Sequence, residues 1–580
     1  MLDLRIQGGT VVDGSGRSGY VGDVGIRDGR IVAVGTVEEP AREAIDVAGR
    51  IVAPGFIDAH THYDAQAFWE PTLSPSCYHG VTTVVGGFCG FSIAPLTLAS
   101  ASYIKPMLAR VEGMPQETLE TAVPWNWSTF GEFLGQLDGK IGLNAGFFAG
   151  HSAIRRIVMA ERAVGEKASA EDLAAMKRLL GQSLAEGALG FSTTVSPTHN
   201  DGDGNPVPSR WADYSEIIEL AKVVREHEGT GLELLPDVDF GPGIPELIAD
   251  FSLAGNRPVN WNVMAITGRP DAEQIAERQL AVSTLARERG AEVIALTLPS
   301  VPQIYMTLRT GFNFDSLPGI WREIFKLPIT QRITQFSDPT IRKRLGEDAA
   351  SMLGSGSVSE FMARLEDYKV VSVIAPENTA YVGRRLGEIA EETDASPIDT
   401  MLSIAIADKL ETVFSPAIGG DDHASYALRG RLWQDDRTLV GASDAGAHLD
   451  VIDSFAFSTD FLEKGVREHK VISLEEAIHQ ITERPARYFG LIDRGRIALG
   501  YHADIVVFDA DTIGKGPTYQ RYDLPGGNDF RLYADAKGIE HVFVNGVEIV
   551  RAGRHSGKRP GTVLRSGRDT RTVPMDALRT

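Results

Sequence analysis

Short apolar segments recur through the middle of the chain, and several are separated by segments whose apolar residues fall three or four positions apart. The short segments read FIDAHTH, VTTVVGG, NAGFFAG, GALGFSTT, GTGLELL, PVNWNVMAI, EVIALTL and RTLVGAS, with KVVSVIAPE as a further candidate. Helical spacing is clearest in ASAEDLAAMKRLLGQSLAEG and DYSEIIELAKVVREHEG. Alternating strands and helices indicate parallel pairing, and eight such strands predict an α/β fold with a closed (β/α)₈ TIM-like barrel over residues 56–488.

The two ends of the chain have a different pattern, in which β-branched runs are interrupted by glycine-containing turns. Examples are DLRIQGGTVVDG and DVGIRDGRIVAVG near the start, and IEHVFVNGVEIVRAG near the end, where Asn545-Gly546 predicts a tight hairpin. Neither end supplies enough strands for a stable sheet of its own. We therefore expect residues 1–55 and 489–580 to form one small β-sandwich domain together.

One part of the chain does not follow the alternation of strands and helices. Residues 302–378 come before the last predicted barrel strand and fit neither pattern well. We expect them to form an inserted segment that contains helices and covers the mouth of the barrel as a lid.

The composition excludes several classes of partner. The chain of 580 residues has a formal net charge of -21 at pH 7, which disfavours nucleic acids and anionic membranes because both require basic surfaces. No apolar run approaches the ~20 residues of a membrane span, and MLDLRIQGG lacks the features of a signal peptide. Only two cysteines occur, so a disulfide framework is not expected. These features predict a cytoplasmic protein.

His60 and His62 follow an apolar run in the first predicted barrel strand. At positions i and i+2 of a strand, both side chains point to the same face. In a barrel that face is the interior, and catalytic groups collect at the carboxyl ends of the strands. Two neutral imidazoles placed there can chelate one cation, whereas on an exposed edge the pair would be two solvated polar residues.

Cys89 and Asp444 lie at the ends of two other predicted strands. Cys89 follows the second strand in VVGGFCGFS, where a thiolate would be a strong zinc ligand, although an unpaired cysteine is usually a small buried apolar residue. Cys77, in SPSCYHG, fits that apolar alternative better. Asp444 ends the last strand in LVGASDAGAH, where it could bind a metal and accept a proton from water, or stabilise an Asx turn. If Asp444 lies across the barrel from His60 and His62, the metal-ligand and proton-acceptor roles are favoured over the Asx turn.

The motif PGFIDAHTHYDAQ behind an N-terminal β segment, together with GASDAG far downstream, resembles the amidohydrolase superfamily. GGFCGFS, AGHSAIRRIVM, GALGFSTT and RGRIALGYHADIVVFD narrow this likeness to the branch of N-acyl-D-amino-acid deacylases, and the likeness extends over nearly the whole chain. The resemblance implies that His60, His62, Cys89 and Asp444 are metal ligands and that Asp444 is also the acid–base residue. It gives His151, in AGHSAIR, a supporting role.

The chain departs from this branch at two strands. Members of the branch carry a metal-binding histidine at the end of the fifth strand and another on the sixth, the latter beside a lysine that holds a substrate carboxylate. Here neither GTGLELLPDVD nor PVNWNVMAITG contains a histidine, and Ala265 stands at the lysine position. Alignment puts Leu234 at the ligand position of strand five, so alternation would turn Glu233 to the opposite face. Asn262 on strand six would be a weak amide ligand.

The remaining donors predict about one zinc ion per chain, because a two-metal centre needs ligands around two ions roughly 3.5–4 Å apart. His199 falls in a predicted loop and His227 on a predicted helix, so neither replaces the missing ligands. If a second zinc were bound, Glu233, Asp237 and Asp239 would be the candidate ligands.

Three functions are compatible with this pattern. The first is zinc-dependent hydrolysis of the amide bond of an N-acyl-D-amino acid or a related N-acyl compound, with Asp444 passing a proton from water to the departing nitrogen. His448 would then assist the oxyanion or, equally, begin a helix. The second is the same chemistry on a neutral, cyclic or lipophilic amide, which the absence of the lysine favours. The third is a non-catalytic barrel that binds a ligand, which the complete first set of metal ligands disfavours. The sequence therefore predicts a metal-dependent amidohydrolase with a small-molecule substrate.

Overall fold

The predicted barrel strands are all present in the computed structural model, which describes residues 1–311, 313–527 and 529–579. Within these residues the strands pair only in parallel, in one sheet of three and one of six. The third strand contributes to both sheets because it is interrupted at Phe148. In chain order the barrel strands, numbered one to eight below, are Phe56–Asp58, Val81–Gly86, Asn144–Phe147 with Ala149–Gly150, Gly190–Thr194, Gly231–Leu235, Val259–Met264, Val293–Thr297 and Thr438–Val440.

The first and last barrel strands meet through the residues that follow them. Thr61 forms a parallel bridge with Ala445, and the backbone N–H of His62 donates to the carbonyl of Ala445 at 2.8 Å. Strand seven pairs with strand eight, so the parallel order runs from strand one around to strand eight. Because of this closure, residues just past strands one and eight lie side by side.

The helices around the barrel begin at signals that the sequence contains. The helix Ala170–Ala185 begins after Ser169, whose hydroxyl accepts from the N–H of Asp172 while the Asp172 carboxylate accepts from the N–H of Ser169. Its buried face includes Met176 and Leu180, four positions apart. No helix of the described residues is long and apolar enough to cross a membrane. The α-helices of the barrel region are Tyr63–Gln66, Leu98–Val111, Gln116–Ala122, Phe130–Leu137, His151–Met159, Ala170–Ala185, Tyr214–Val224, Ile244–Gly255, Ala272–Glu288, His423–Trp433, Phe457–Phe461, Leu474–Gln480 and Glu483–Tyr488.

Strands from the two ends of the chain form one sheet. Ile51–Pro54 pairs antiparallel with Ile505–Phe508, and the apolar side chains of Val52, Val507 and Phe543 pack in the same cluster. The predicted hairpin at Asn545-Gly546 is confirmed, because the strands on either side pair with each other. The nine strands of this sheet are Leu2–Val11, Tyr20–Arg27, Arg30–Gly35, Ala41–Asp46, Ile51–Pro54, Ile505–Phe508, Ile539–Val544, Val547–Arg551 and Arg554–His555. Two smaller antiparallel pairs join Gly514–Lys515 to Ala536–Lys537 and Tyr519–Arg521 to Arg531–Tyr533.

The last part of the chain belongs to the barrel rather than to the terminal sheet, so the predicted range 489–580 needs a correction from residue 557 onward. The N–H of Leu564 donates to the carbonyl of Ala145 at 2.8 Å, and the hydroxyl of Thr570 donates to that of Gly229 at 2.6 Å. Arg579 Nε lies 2.8 Å from the carboxylate of Glu292. These contacts lie at the amino ends of barrel strands, where backbone groups need hydrogen-bond partners that the segment supplies.

The inserted segment extends beyond the predicted range 302–378. Its separate apolar cluster runs from Met306 to Phe414, and these two residues exchange backbone hydrogen bonds of 2.8 Å. KVVSVIAPE is not a barrel strand, because Lys369–Ser372 pairs antiparallel with Val413–Ser415. The sequence places the later helices with the barrel because their amphipathic pattern is the same as that of barrel helices. The α-helices of the segment are Trp321–Phe325, Ile329–Ser337, Pro339–Ala350, Leu386–Thr393 and Pro397–Ala407.

The inserted segment contacts loops at the carboxyl ends of three barrel strands. The Ser357 hydroxyl donates to the carboxylate of Asp239 at 2.8 Å, and Arg269 donates to the carbonyl of Ser357 at 2.9 Å. Ile304 forms an antiparallel bridge with Ile452. Asp239, Arg269 and Ile452 follow strands five, six and eight, respectively. The inserted segment therefore lies beside the mouth of the barrel.

Candidate metal centre

His60 and His62 lie just past the end of strand one. The strand ends at Asp58, so the two histidines are on the following turn rather than on the strand itself as the sequence predicts. Both side chains nevertheless point to the same place, with ring centroids 5.3 Å apart. His60 is fully buried and stacks on Phe88 at 4.6 Å, while His62 is 3% exposed. The bridge to strand eight holds this turn, so the shared direction of the rings does not depend on strand alternation.

Cys89 lies in the turn after strand two, with its thiol beside His60. Its Sγ is 3.6 Å from His60 Nε2, and one nitrogen of each imidazole and this sulfur all lie within 4.8 Å of one another. The turn requires glycine at position 87, where φ is +75° and an added Cβ would lie 2.3 Å from the carbonyl oxygen of Phe148. The predicted group His60, His62 and Cys89 is thus brought together.

Asp444 joins the same group from the loop after strand eight, which ends four residues earlier at Val440. Its N–H donates to the carbonyl of His60 at 3.2 Å, and its Oδ1 lies 3.3 Å from His60 Nε2 and 3.8 Å from His62 Nε2. The side chain remains 29% exposed, which leaves it accessible from the barrel mouth. The surrounding barrel residues still remove much of the water around its carboxyl group, and this desolvation raises the pKa of Asp444 to about 7. A carboxyl group in this position can both ligate a cation and exchange a proton near neutral pH.

The protonation states of the donors fit a cation site. Burial lowers the pKa of His60 to about 3 and that of His62 well below its usual value, so both imidazoles are neutral and have a lone pair to offer. Burial also raises the pKa of the Cys89 thiol, and the nearby Glu233 carboxylate raises it further. A bound cation reverses that shift because it favours the thiolate. Two imidazoles, a thiolate and a carboxylate are a donor set that zinc prefers.

Glu233 faces the interior of the barrel, and the prediction that it turns away is wrong. Its Oε2 accepts from the N–H of Cys89 at 3.0 Å, and the side chain is fully buried. It lies in register with Ser192 on strand four, whose hydroxyl donates to the carbonyl of Gly87 in the Cys89 turn. Since both faces of a barrel strand are buried, apolar content does not show which residues of Gly231–Leu235 face inward.

Asn262 on strand six also contacts the cysteine. Its side-chain Nδ2 donates to Cys89 Sγ at 3.4 Å, and its Oδ1 is buried without a hydrogen-bond partner among the described residues. Strands five and six, which lack the histidines that the resemblance implies, supply Glu233 and Asn262 instead. Glu233 bonds to the backbone N–H of Cys89, and Asn262 bonds to the thiol of Cys89. Asp237 and Asp239 lie beyond strand five, where Asp239 bonds to Ser357 of the inserted segment.

His151 belongs to a buried polar cluster behind the site. Its Nε2 lies 2.9 Å from Glu216 Oε1, and its Nδ1 lies 2.9 Å from the hydroxyl of Thr193. Burial lowers the pKa of His151, so the neutral ring donates to Glu216 from Nε2 and accepts from Thr193 at Nδ1. Arg155 completes the cluster through a 2.7 Å bond to Glu216. The adjacent Ser152 N–H donates to Gly90 at 3.0 Å, which connects the cluster to the Cys89 turn.

Glu112 is a residue of the site that the sequence analysis missed. Its carboxylate is 2% exposed and lies between two histidines, with Oε1 3.7 Å from His62 Nδ1 and Oε2 3.7 Å from His448 Nε2. The backbone N–H of His448 also donates to the backbone carbonyl of Glu112. His448 begins no helix, since the next helical turn starts at Ser454. An acidic residue at the end of an amphipathic helix usually lies on the surface, so nothing in the sequence marks Glu112 as buried.

His199 also lies near this group, although the sequence places it in an unrelated loop. The ring packs on Phe91 with centroids 4.9 Å apart. Cys77 is buried at a different place in the core, as the sequence predicts.

Comparison with known proteins agrees with this geometry. A family model described as "Amidohydrolase family" matches residues 43–311 and 349–550, which is most of the chain. The chain belongs to the amidohydrolase family. It is therefore a metal-dependent hydrolase that acts on carbon–nitrogen bonds, and its fold is the family's TIM-like barrel. The unmatched stretch from 312 to 348 lies within the inserted segment.

Individual members of the amidohydrolase family resemble the chain over nearly its full length. An N-acyl-D-glutamate deacylase of Alcaligenes xylosoxydans xylosoxydans is 29% identical over 586 residues, which covers 97% of this chain and 96% of the relative. A D-aminoacylase crystal structure matches with a TM-score of 0.66 at 25% identity and covers 97% of this chain and 100% of that chain. An N-acyl-D-glutamate deacylase from Bordetella bronchiseptica, solved with zinc and a phosphonate inhibitor, matches with a TM-score of 0.64, 25% identity and the same coverage.

Proposed function

We propose that this amidohydrolase cleaves the amide bond of an N-acyl compound at a centre that holds about one zinc ion. The observation that carries the proposal is the convergence of His60, His62 and Cys89 within 4.8 Å, with Asp444 Oδ1 3.3 Å from His60. These are the four ligands expected from the sequence. Their position at the carboxyl ends of barrel strands is where catalytic groups of such barrels lie.

Asp444 is the residue that moves protons in this proposal. When zinc is bound, it supplies Lewis-acid chemistry by acidifying water and polarising a carbonyl group. Asp444 accepts the proton of the attacking water and returns it to the departing nitrogen, so that the amine leaves neutral. Its partial exposure gives substrate access to the carboxylate, and its bond to the His60 carbonyl fixes its orientation.

The positions of Glu233 and Asn262 support one metal rather than two. Both side chains contact Cys89, and Glu233 Oε2 is engaged by the Cys89 N–H. A second zinc would have to compete with these bonds for its ligands. Among the related structures, one D-aminoacylase is described as activated by one metal and attenuated by a second. That description is compatible with a working centre that holds a single ion.

The relatives suggest an N-acyl-D-amino acid as the substrate class, since the curated relatives include deacylases of N-acyl-D-glutamate and N-acyl-D-aspartate. Ala265 at the position of the family's carboxylate-binding lysine favours a second candidate, a neutral or lipophilic amide. The two candidates share the chemistry and differ only in whether a substrate carboxylate is recognised.

A matched substrate panel tests the proposal. The zinc-loaded protein is assayed for acetate release from N-acetyl-D-amino acids, their L enantiomers and the corresponding C-terminal amides. We expect hydrolysis that stops when a chelator removes zinc and resumes when zinc is restored. A preference for the free acid supports the amino acid, and a preference for the amide supports the neutral candidate. Absence of acetate release from every member, with zinc bound, would overturn the proposed N-acyl substrate.

The two cysteines bear on where the enzyme works. Both are unpaired and buried, and Cys89 must stay reduced to act as a ligand. A reducing compartment preserves that state, and we propose the cytoplasm as the location.

A further inference from the structure

Glu112 is a buried acid with a costly position. It follows the helix Leu98–Val111, so its negative charge lies at the helix end where the backbone dipole is already negative. Its Oε2 has no hydrogen-bond partner within reach among the described residues. Helix stability therefore gives no reason for an acid here.

The groups nearest to its two carboxylate oxygens are histidine nitrogens. His62 presents Nδ1 to Oε1 at 3.7 Å and presents its other nitrogen, Nε2, to Asp444 at 3.8 Å. His448 presents Nε2 to Oε2 at 3.7 Å. A closing movement of about 0.7 Å would bring either contact to the ~3.0 Å of an N–H···O bond. Catalytic hydrogen bonds are often longer than this before the site is filled.

The backbone fixes Glu112 and His448 relative to each other. The N–H of His448 donates to the Glu112 carbonyl, and an added Cβ at Gly113 would lie 3.1 Å from His448 Cα. The loop after strand eight is thus docked on the end of the helix Leu98–Val111. Glu112 cannot drift from the two rings without separating this contact.

We propose that Glu112 is a positioning residue, which accepts the Nδ1 proton of His62 and thereby presents Nε2 to the metal. This inference rests on the proposed metal centre. A histidine ligand whose other nitrogen donates to a carboxylate is fixed in one tautomer and ring orientation and becomes a better donor. The second oxygen of the same carboxylate holds His448 at the mouth side of the centre. Glu112 thus orients two rings at once: that of the proposed ligand His62, and that of His448 on the substrate side.

Zinc affinity, measured by competition with a chromophoric chelator, tests this role in the full-length protein. Glu112→Gln keeps the shape and one acceptor oxygen, whereas Glu112→Ala removes both. We expect the alanine variant to bind zinc about 10–100-fold more weakly than the wild type, with the glutamine variant in between. Far-UV circular dichroism and the thermal unfolding midpoint of the metal-free forms are compared to confirm that each variant is folded.

Asp64→Asn is the matched control. Asp64 is also a buried carboxylate close to Glu112, but its oxygens accept from the backbone N–H groups of Ala65 and Ile93. If removal of negative charge were the whole effect, this control would lose as much affinity as the Glu112 variants, and the positioning role would be overturned. A loss confined to the Glu112 variants supports it.

Cobalt substitution separates positioning from direct ligation. In the Glu112 variants we expect visible absorption bands of bound Co²⁺ at unchanged wavelengths, because the donor atoms are the same. Shifted bands would make Glu112 a ligand and overturn the positioning role. Wild-type affinity in both variants would overturn it as well while leaving the metal centre intact. Failure of the wild type itself to bind zinc would instead overturn the proposed centre, and the role of Glu112 with it.

Discussion

Asp444 and His60 are joined twice, once by a backbone hydrogen bond of 3.2 Å and once by the 3.3 Å approach of a carboxylate oxygen to an imidazole nitrogen. These residues are almost 400 positions apart in the sequence. The contact exists because strands one and eight are neighbours at the closure of the barrel. The same junction that completes the fold therefore brings together residues of the proposed ligand set.

Replacement of Asp444 by asparagine tests the proton-transfer role. The amide preserves shape but cannot accept a proton from water, and one positioned acid–base group contributes ~10²–10⁴ in rate. We expect turnover to fall by about that factor. Steady-state kinetics on the best substrate of the panel, with zinc content measured in the same sample, provide the check. Turnover within a few-fold of the wild type at full zinc occupancy would assign the proton transfer to another group.

The two cysteines provide a built-in comparison for the thiolate ligand. A Co²⁺-substituted protein with a thiolate ligand absorbs in the near ultraviolet through sulfur-to-metal charge transfer. We expect this band in the wild type, its loss in Cys89→Ser and its retention in Cys77→Ser, because Cys77 lies elsewhere in the core. If the band survives in Cys89→Ser, then Cys89 is not a ligand.

The metal stoichiometry can be measured directly by elemental analysis. We expect about one zinc per chain, since the donors match a single tetrahedral site. Glu233→Gln should leave that number unchanged, because the remaining oxygen still accepts from the Cys89 N–H. Two zinc ions per wild-type chain that fall to one in Glu233→Gln would show that Glu233 is a ligand of a second ion.

The buried polar cluster of His151, Arg155 and Glu216 behind the site predicts that the stability of the fold depends on pH. Burial alone would raise the pKa of Glu216, but bonds from His151 and Arg155 lower it to about 2. A folded pKa below the unfolded value of ~4.3 means that this carboxylate stabilises the protein above that pH. The stabilisation is lost as the pH falls from ~4.3 toward 2.

Glu216→Gln should remove this contribution to acid sensitivity. At pH 7 the variant leaves the buried Arg155 uncompensated, which costs on the order of 3 kcal/mol. Thermal unfolding midpoints between pH 3 and 7 check both effects. Glu219→Gln, on the same helix but paired with lysines near the surface, is the control and should behave as the wild type. Equal acid sensitivity in Glu216→Gln and the wild type would contradict this account.

The sequence predicted the elements and most of the side chains that converge at the candidate site, because these depend on local patterns. Each barrel strand was marked by its apolar run, and His60, His62, Cys89 and Asp444 stood at strand ends. What it did not predict depended on contacts between distant segments. Glu233 faces inward because of the register with strand four, which apolar content does not reveal when both faces are buried. Glu112 became part of the site only through the docking of its helix on the loop after strand eight.

The boundaries of the inserted segment were missed for a related reason. Its later helices have the same amphipathic pattern as barrel helices, and only their packing against the cluster from Met306 to Phe414 assigns them to the segment. In the same way, residues 557–579 have no pattern of their own and are ordered by the barrel strands they contact.

The pairing of Ile51–Pro54 with Ile505–Phe508 sets an order of events during synthesis. The later strand emerges about 450 residues after the earlier one. At 5–20 residues per second, the first strands wait about 20–90 s for their partner. Throughout that time Ile51–Pro54 has an open hydrogen-bonding edge, which is the kind of surface that recruits chaperones or pairs with a neighbouring nascent chain. The ribosome therefore synthesises all eight barrel strands before the sheet whose first strands precede them in the sequence can close.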